Sequence, residues 1–409
     1  MWKKAMNIHE VKELRCKTDL FLGVGAIQKI DSICKELASD GIDSILIVAS
    51  RSAYKKCGAW DVVEPALQKH NIDYKVYNGI TPNPDNAQVD EAVEIGKQMG
   101  AKAVFGIGGG SPIDAAKSAA ILLEYTQHNC RQLYSYEFTP TKAVPIIAIN
   151  TTHGTGTEVD RFAVVSIPEL GHKPAIAYDC IYPLYAIDDP ALMQGLPADQ
   201  TLFVTIDAIN HIVEAATTTV ATPYSILLAK ETVRLIVEYL PQAIADPQDL
   251  EARYYLLYAS ALAGISFDNG MLHLTHALEH PLSAVKPELA HGLGLAMILP
   301  SVLKAIYPAS GQVLADVFAP MVPGMKGSPE ESEAFALAIE KWLFDLGVTS
   351  KLKDEGYTAQ DVDRLTELAM TTPSLDLLLS LAPVDATKEV VAGIYSESLA
   401  ALKDQLAVS

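Results

Sequence analysis

Across residues 1–190, short β-forming runs alternate with stretches of helical periodicity, and few architectures accept that order. Residues 44–49, Ser-Ile-Leu-Ile-Val-Ala, are almost continuously apolar, the pattern of a strand buried on both faces. Residues 73–77, 103–107 and 145–149 are further candidates, and a short fifth run at 186–187 precedes Asp188-Asp189-Pro190. Helical patterns fall between them at 26–38, 62–70, 87–99 and 112–124. This β-α-β-α order predicts a mostly parallel sheet covered by helices. Over 191–409 the texture changes. Helical stretches follow one another, broken by Pro223, Pro241, Pro281, Pro300 and Pro323. Ser328-Pro329-Glu330-Glu331 is a strong helix-start signal, and Thr358 with Asp361 a weaker one. The expectation is an α/β domain over 1–190 and an all-helical domain over 191–409.

The net charge of −19 and the lack of any long Lys/Arg run argue against nucleic acid and anionic membrane surfaces as partners. No window is expected to approach the ~18–20 apolar residues of a membrane span. Residues 1–15 stay charged and lack the apolar stretch of a secretory leader. Cys16, Cys34, Cys57, Cys130 and Cys180 are odd in number and scattered, with no CxxC pair. They read as reduced thiols, and a cytoplasmic protein is expected.

The sharpest local signal is Gly106-Ile107-Gly108-Gly109-Gly110-Ser111-Pro112-Ile113-Asp114, between an expected strand and an expected helix. Glycines let backbone N–H groups approach an anion, and the helix N-terminus adds unpaired donors and a positive dipole end. Ser111 is the expected N-cap, Pro112 the first helical residue, and Asp114 a capping carboxylate. A well-capped βα turn without a ligand has the same composition. The spacing is not GxGxxG, and the motif lies about 100 residues into the chain, so an ordinary Rossmann domain is disfavoured.

Five of the ten histidines lie in the helical half, all between residues 211 and 291. Asp207 and His211 are four apart, as are His276 and His280, so each pair shares a helix face; His291 follows after a loop. One carboxylate and three imidazoles suit Fe(II) or Zn(II). Any one of these histidines is explained as well by a core hydrogen bond; the cluster carries the metal reading. His273 points at a different angle and is left unassigned.

Cradle and cluster together resemble the iron-dependent (group III) alcohol dehydrogenase family. The resemblance spans nearly the whole chain. It includes Asn83-Pro84, the Gly-Gly-Gly-Ser-Pro stretch ending at Lys117, and Thr151-Thr152-x-Gly154-Thr155-Gly156. It continues through Asp188-x-Pro190, Asp207-Ala-x-x-His211, His276-x-x-x-His280-Pro281-Leu282 and His291-Gly292. The resemblance implies a dinucleotide-binding α/β domain joined to a helical metal domain, a dehydroquinate synthase-like fold. It implies hydride transfer between a nicotinamide and a small primary alcohol or aldehyde whose oxygen the metal polarises. Asp207, His211, His276 and His291 would be the ligands of Fe2+, with Zn2+ an alternative. His280 would lie beside the nicotinamide and relay protons. Gly108, Gly109, Gly110 and Ser111 would hold the pyrophosphate; Asn83, Thr151, Thr152, Thr155 and Lys173 would touch other parts of the cofactor. A homo-oligomer, dimer or larger, is also implied.

Three departures stand out. His153 occupies a position where a small residue is usual, and Asp160 one where Thr is usual. NAD-preferring members carry an acid after the strand at 44–49, whereas this chain has Ser50-Arg51. A hydroxyl and a guanidinium suit a 2′-phosphate, so NADP(H) is expected over NAD(H). Phe162 and Phe267 are candidate pocket walls. The alternatives are a zinc glycerol or polyol dehydrogenase, a dehydroquinate synthase-like lyase, and a non-catalytic scaffold. The lyase would need a Glu-containing ligand set and a basic pocket, and neither is evident.

Overall fold

The computed structural model describes residues 9–406. Residues 1–8, on which part of the leader argument rests, lie outside them. Among the described residues six parallel strands form one sheet: β1 (Asp19–Leu22), β2 (Ser44–Ser50), β3 (Asp73–Ile80), β4 (Ala103–Gly108), β5 (Ile146–Asn150) and, beyond an antiparallel pair β6 (Phe162–Val164) and β7 (Ala175–Ala177), β8 (Tyr185–Asp188). The order is β1-β8-β5-β4-β2-β3. The helices between are α1 (Ile30–Ser39), α2 (Ala53–Lys56), α3 (Trp60–Lys69), α4 (Asn86–Met99), α5 (Gly110–Glu124) and α6 (Cys130–Tyr134).

β2 shows why its sequence is continuously apolar. Ile45, Ile47 and Ala49 pack with Ile30, Ile33 and Leu67 on one face. Leu46 and Val48 pack with Val89, Val93 and Ala116 on the other. Alternate side chains enter opposite cores, so neither face tolerates a polar residue. The chain leaves β2 toward β3, then returns to place β4 on β2's other side. That reversal opens a crevice at the carboxyl ends of the strands, where such sheets bind ligands.

The remaining described residues are helical apart from their connecting loops. α7 (Ala198–Thr217), α8 (Pro223–Ala245), α9 (Leu250–Gly270), α10 (Leu274–Val285), α11 (His291–Val317) and α12 (Ser332–Asp345) share one large core. Two expectations fail here. Pro241, Pro281 and Pro300 lie inside helices rather than between them. α11 has an 18-residue window of mean hydropathy 1.4, so by length and composition it is apolar enough to cross a membrane. Small and polar residues interrupt its apolar runs, yet the average over the window stays high. The helix is 72% buried in that window and forms the centre of the bundle. The start signal at Ser328 is a reciprocal capping box with Glu331, leading through a single 3₁₀ turn into α12. All five cysteines are free thiols.

Candidate active site

A cavity of about 620 Å³ lies between the carboxyl ends of the strands and the helical half. At one side β4 runs into α5. The helix begins at Gly110, earlier than expected, with Gly109 as an N-cap that has no side chain to offer. Ser111 is therefore inside the first turn. Asp114 does not cap either: it accepts from Thr157 Oγ1 at 2.7 Å and from the Val164 N–H at 2.9 Å. The helix's first N–H groups are thus left without a capping side chain, beside the cavity that Gly109, Gly110 and Ser111 line. A Cβ on Gly109 would stand 2.8 Å from Thr152 Cγ2, so the glycine keeps these two loops in contact.

Ser50, Asn83, Thr151, Thr152, Thr155, Lys173 and His280 also line the cavity, whereas Gly108 and Arg51 do not. Asn83, at φ 52°, donates through Nδ2 to the Pro287 carbonyl at 2.9 Å, tying the sheet end to the loop before α11. His280 Nδ1 lies 2.8 Å from the Lys173 carbonyl. A carbonyl only accepts, so Nδ1 carries the proton and Nε2 keeps its lone pair.

Opposite the cradle, α7, α10 and α11 bring the acid and the imidazoles together. Asp207 Oδ1 is 3.4 Å from His211 Nε2, 3.4 Å from His276 Nε2 and 3.8 Å from His291 Nε2. Asp207, His276 and His291 offer ligand atoms all within 4.8 Å of one another; His211 adjoins Asp207 without completing that tighter set. Its ring stacks on His276, centroids 4.7 Å apart, and on Phe267 at 4.5 Å. Burial works to raise the Asp207 pKa, but His211, His276 and His291 outweigh it and hold the acid below the usual carboxylate range. One carboxylate oxygen faced by three ring nitrogens fits a divalent first-row metal.

Two carboxylates that sequence reasoning missed stand behind the imidazoles. Glu214 accepts from the His276 backbone N–H at 3.1 Å and lies 2.7 Å from His276 Nδ1. Glu279 is hydrogen-bonded to His291 Nδ1 and pairs with Lys173 Nζ at 3.4 Å. The signal for Glu214 is spacing: it follows Asp207 by seven and His211 by three, on the same helical face. His273 bonds Thr217 Oγ1 at 2.8 Å, away from the cavity.

The three departures also have locations. His153 is buried, with Nε2 3.0 Å from Arg253 Nη1 and Nδ1 3.3 Å from Thr205 Oγ1. Asp160 pairs with buried Lys117 at 2.9 Å. Arg51 is exposed. Phe162 and Phe267, centroids 5.3 Å apart, do form cavity wall, with Phe203, Val204 and Leu272.

Residues 17–190 match the family described as iron-containing alcohol dehydrogenase, and residues 201–399 its C-terminal part. The long-chain primary alcohol dehydrogenase AdhA of Thermoanaerobacter ethanolicus is 62% identical over 97% of this chain and 100% of that protein. The chain belongs to the iron-containing alcohol dehydrogenase family. It is a metal-dependent alcohol and aldehyde oxidoreductase that works by NAD(P)-linked hydride transfer. The NADH-dependent butanol dehydrogenase A of Thermotoga maritima superposes with a TM-score of 0.88 at 28% identity, over 96% of this chain and 99% of that one. The NAD-dependent methanol dehydrogenase of Bacillus methanolicus is 29% identical over 92% of this chain and 97% of that protein. These relatives overturn the expected preference for NADP(H) over NAD(H). The physical basis of that expectation fails as well: Arg51 lies outside the cavity, and Ser50 alone of the pair lines it.

Proposed function

We propose that this enzyme interconverts long-chain primary alcohols and their aldehydes, rather than only the small ones that the family resemblance implies, with Asp207, His211, His276 and His291 holding Fe(II). The carrying observation is one unbroken cavity running from the Gly109–Ser111 helix start to the Asp207 cluster, walled by Phe162, Phe203, Val204, Phe267 and Leu272. The similarity to AdhA, a protein named for long-chain primary alcohols, points the same way. Bound there, Fe(II) would supply Lewis-acid polarisation of the substrate oxygen. The nicotinamide supplies the hydride acceptor or donor.

The chain's own residues do the rest. Backbone N–H groups at 109–111 would hold the pyrophosphate of the cofactor. Glu214 and Glu279 fix the rings of His276 and His291 through Nδ1, leaving each Nε2 toward Asp207. His280 takes or returns a proton at Nε2, its ring held by the Lys173 carbonyl. The aromatic wall excludes water and holds the reacting carbon near the nicotinamide.

The test is nicotinamide oxidation by the anaerobically iron-loaded enzyme against linear aldehydes of two to ten carbons. Each methylene that enters the apolar wall contributes about 0.8 kcal/mol, about fourfold in kcat/KM. A profile that is flat or falls with length overturns the long-chain assignment. His276→Ala is expected to lose bound iron and turnover together; retention of both removes His276 from the ligand set.

A further inference from the structure

Met271 lies where α9 gives way to α10, and its backbone sits at φ 64°, ψ 178°. Glycine alone adopts that region freely, because a Cβ there crowds the main chain. The neighbours show why the chain must reverse at this residue. A Cβ on Gly270 would collide with the Ala215 carbonyl of α7, so the end of α9 lies directly on α7. Thr218 Oγ1 donates to the Gly270 carbonyl at 2.5 Å. Two residues beyond Met271, the His273 N–H is held by Glu214 at 2.5 Å. The Met271 N–H itself bonds the Phe267 carbonyl at 2.6 Å. Between these anchors residue 271 takes the reversal that delivers His276 to the site. Glycine would make it without strain, yet the sequence places a long thioether there, at the cavity wall with Phe267 and Leu272.

We propose that Met271 is a specificity-determining residue, carried on a strained backbone so that its side chain narrows the substrate chamber to unbranched chains. This rests on the alcohol–aldehyde reading above. Methionine is unbranched and adaptable, so it packs along a linear alkyl chain. A ring or branch next to the carbonyl must displace it from the wall it forms with Phe267 and Leu272.

The experiment compares wild type, Met271→Ala and Met271→Gly, using hexanal as the linear aldehyde and benzaldehyde as the bulky one. Both variants should raise the benzaldehyde-to-hexanal ratio of kcat/KM by about tenfold, the scale of one or two methylenes in an apolar pocket. Thermal unfolding separates side chain from backbone. The Gly variant loses the strain and should melt above the Ala variant, the reverse of the order at unstrained sites. A ratio that stays at the wild-type value in both variants, or an Ala variant melting at or above the Gly variant, overturns the proposal. Wild-type enzyme inactive toward every aldehyde would overturn the functional reading instead. The melting order would still decide whether residue 271 carries strain.

Discussion

At the scale of single residues, the site depends on groups that never face the cavity. Glu214 meets His276 twice, at the ring and at the backbone. It also takes the His273 N–H. One carboxylate therefore sets both the start of α10 and the direction of a proposed ligand. Glu214→Gln keeps the volume and removes the charge that holds the Nδ1 proton. Loss of such a partner costs about 10–100-fold in metal affinity. Competition for Fe(II) against a chelator of known strength measures it, and unchanged affinity would assign Glu214 to helix capping alone. The two buried acids escape sequence reading because Asp and Glu on helices usually face water. Only its spacing, seven from Asp207 and three from His211, marks Glu214. Glu279 has a weaker mark, three residues after His276 and next to His280.

At the scale of elements, β2, β4 and β5 are legible because burial on both faces forces apolar runs. β1 is not. It is four residues, Asp-Leu-Phe-Leu, at a sheet edge, and takes its strand character from pairing with β8 rather than from its own composition. The β6–β7 pair is three residues a side and equally silent. The cradle is legible in kind but not in register: capping preference points to Ser111, whereas the helix starts at Gly110, where Thr152 and Thr155 approach too closely for a Cβ on Gly109 or Gly110. That contact also gives a test. Gly109 has φ −82°, which any residue adopts, so alanine there acts through its Cβ against Thr152. Gly109→Ala should raise KM for the nicotinamide cofactor about tenfold, some 1.4 kcal/mol of binding, with kcat changed less. Adding Thr152→Ala should restore part of it. Absence of coupling in that double-mutant cycle would mean the two loops do not bear on each other.

At the scale of the whole molecule, the cavity exists only while the sheet half and the helical half keep their places, and His153 is one of the ties. It sits in the loop after β5 and reaches Arg253 of α9 and Thr205 of α7. Thr205 spends its hydroxyl proton on the Thr201 carbonyl, so His153 Nδ1 donates and Nε2 accepts from Arg253. A second ring proton would set two donors and two positive charges against each other in a dry interior. Burial first, and the Arg253 charge second, push the His153 pKa down to about 3. In the unfolded chain a histidine titrates near 6.5. Above that pH both states are neutral, and the tie contributes fully. As pH falls below it, the unfolded chain takes up a proton that the folded protein refuses until near its own lowered pKa, so stability falls with pH across that window. The slope from one such group is about 1.4 kcal/mol per pH unit. His153→Gln keeps a donor and an acceptor but cannot titrate. Urea unfolding at several pH values between 4 and 6.5 should therefore show a shallower loss of stability for the variant, by about one proton's worth. Equal slopes would mean that acid parts the two halves elsewhere and that the His153–Arg253 bond survives protonation.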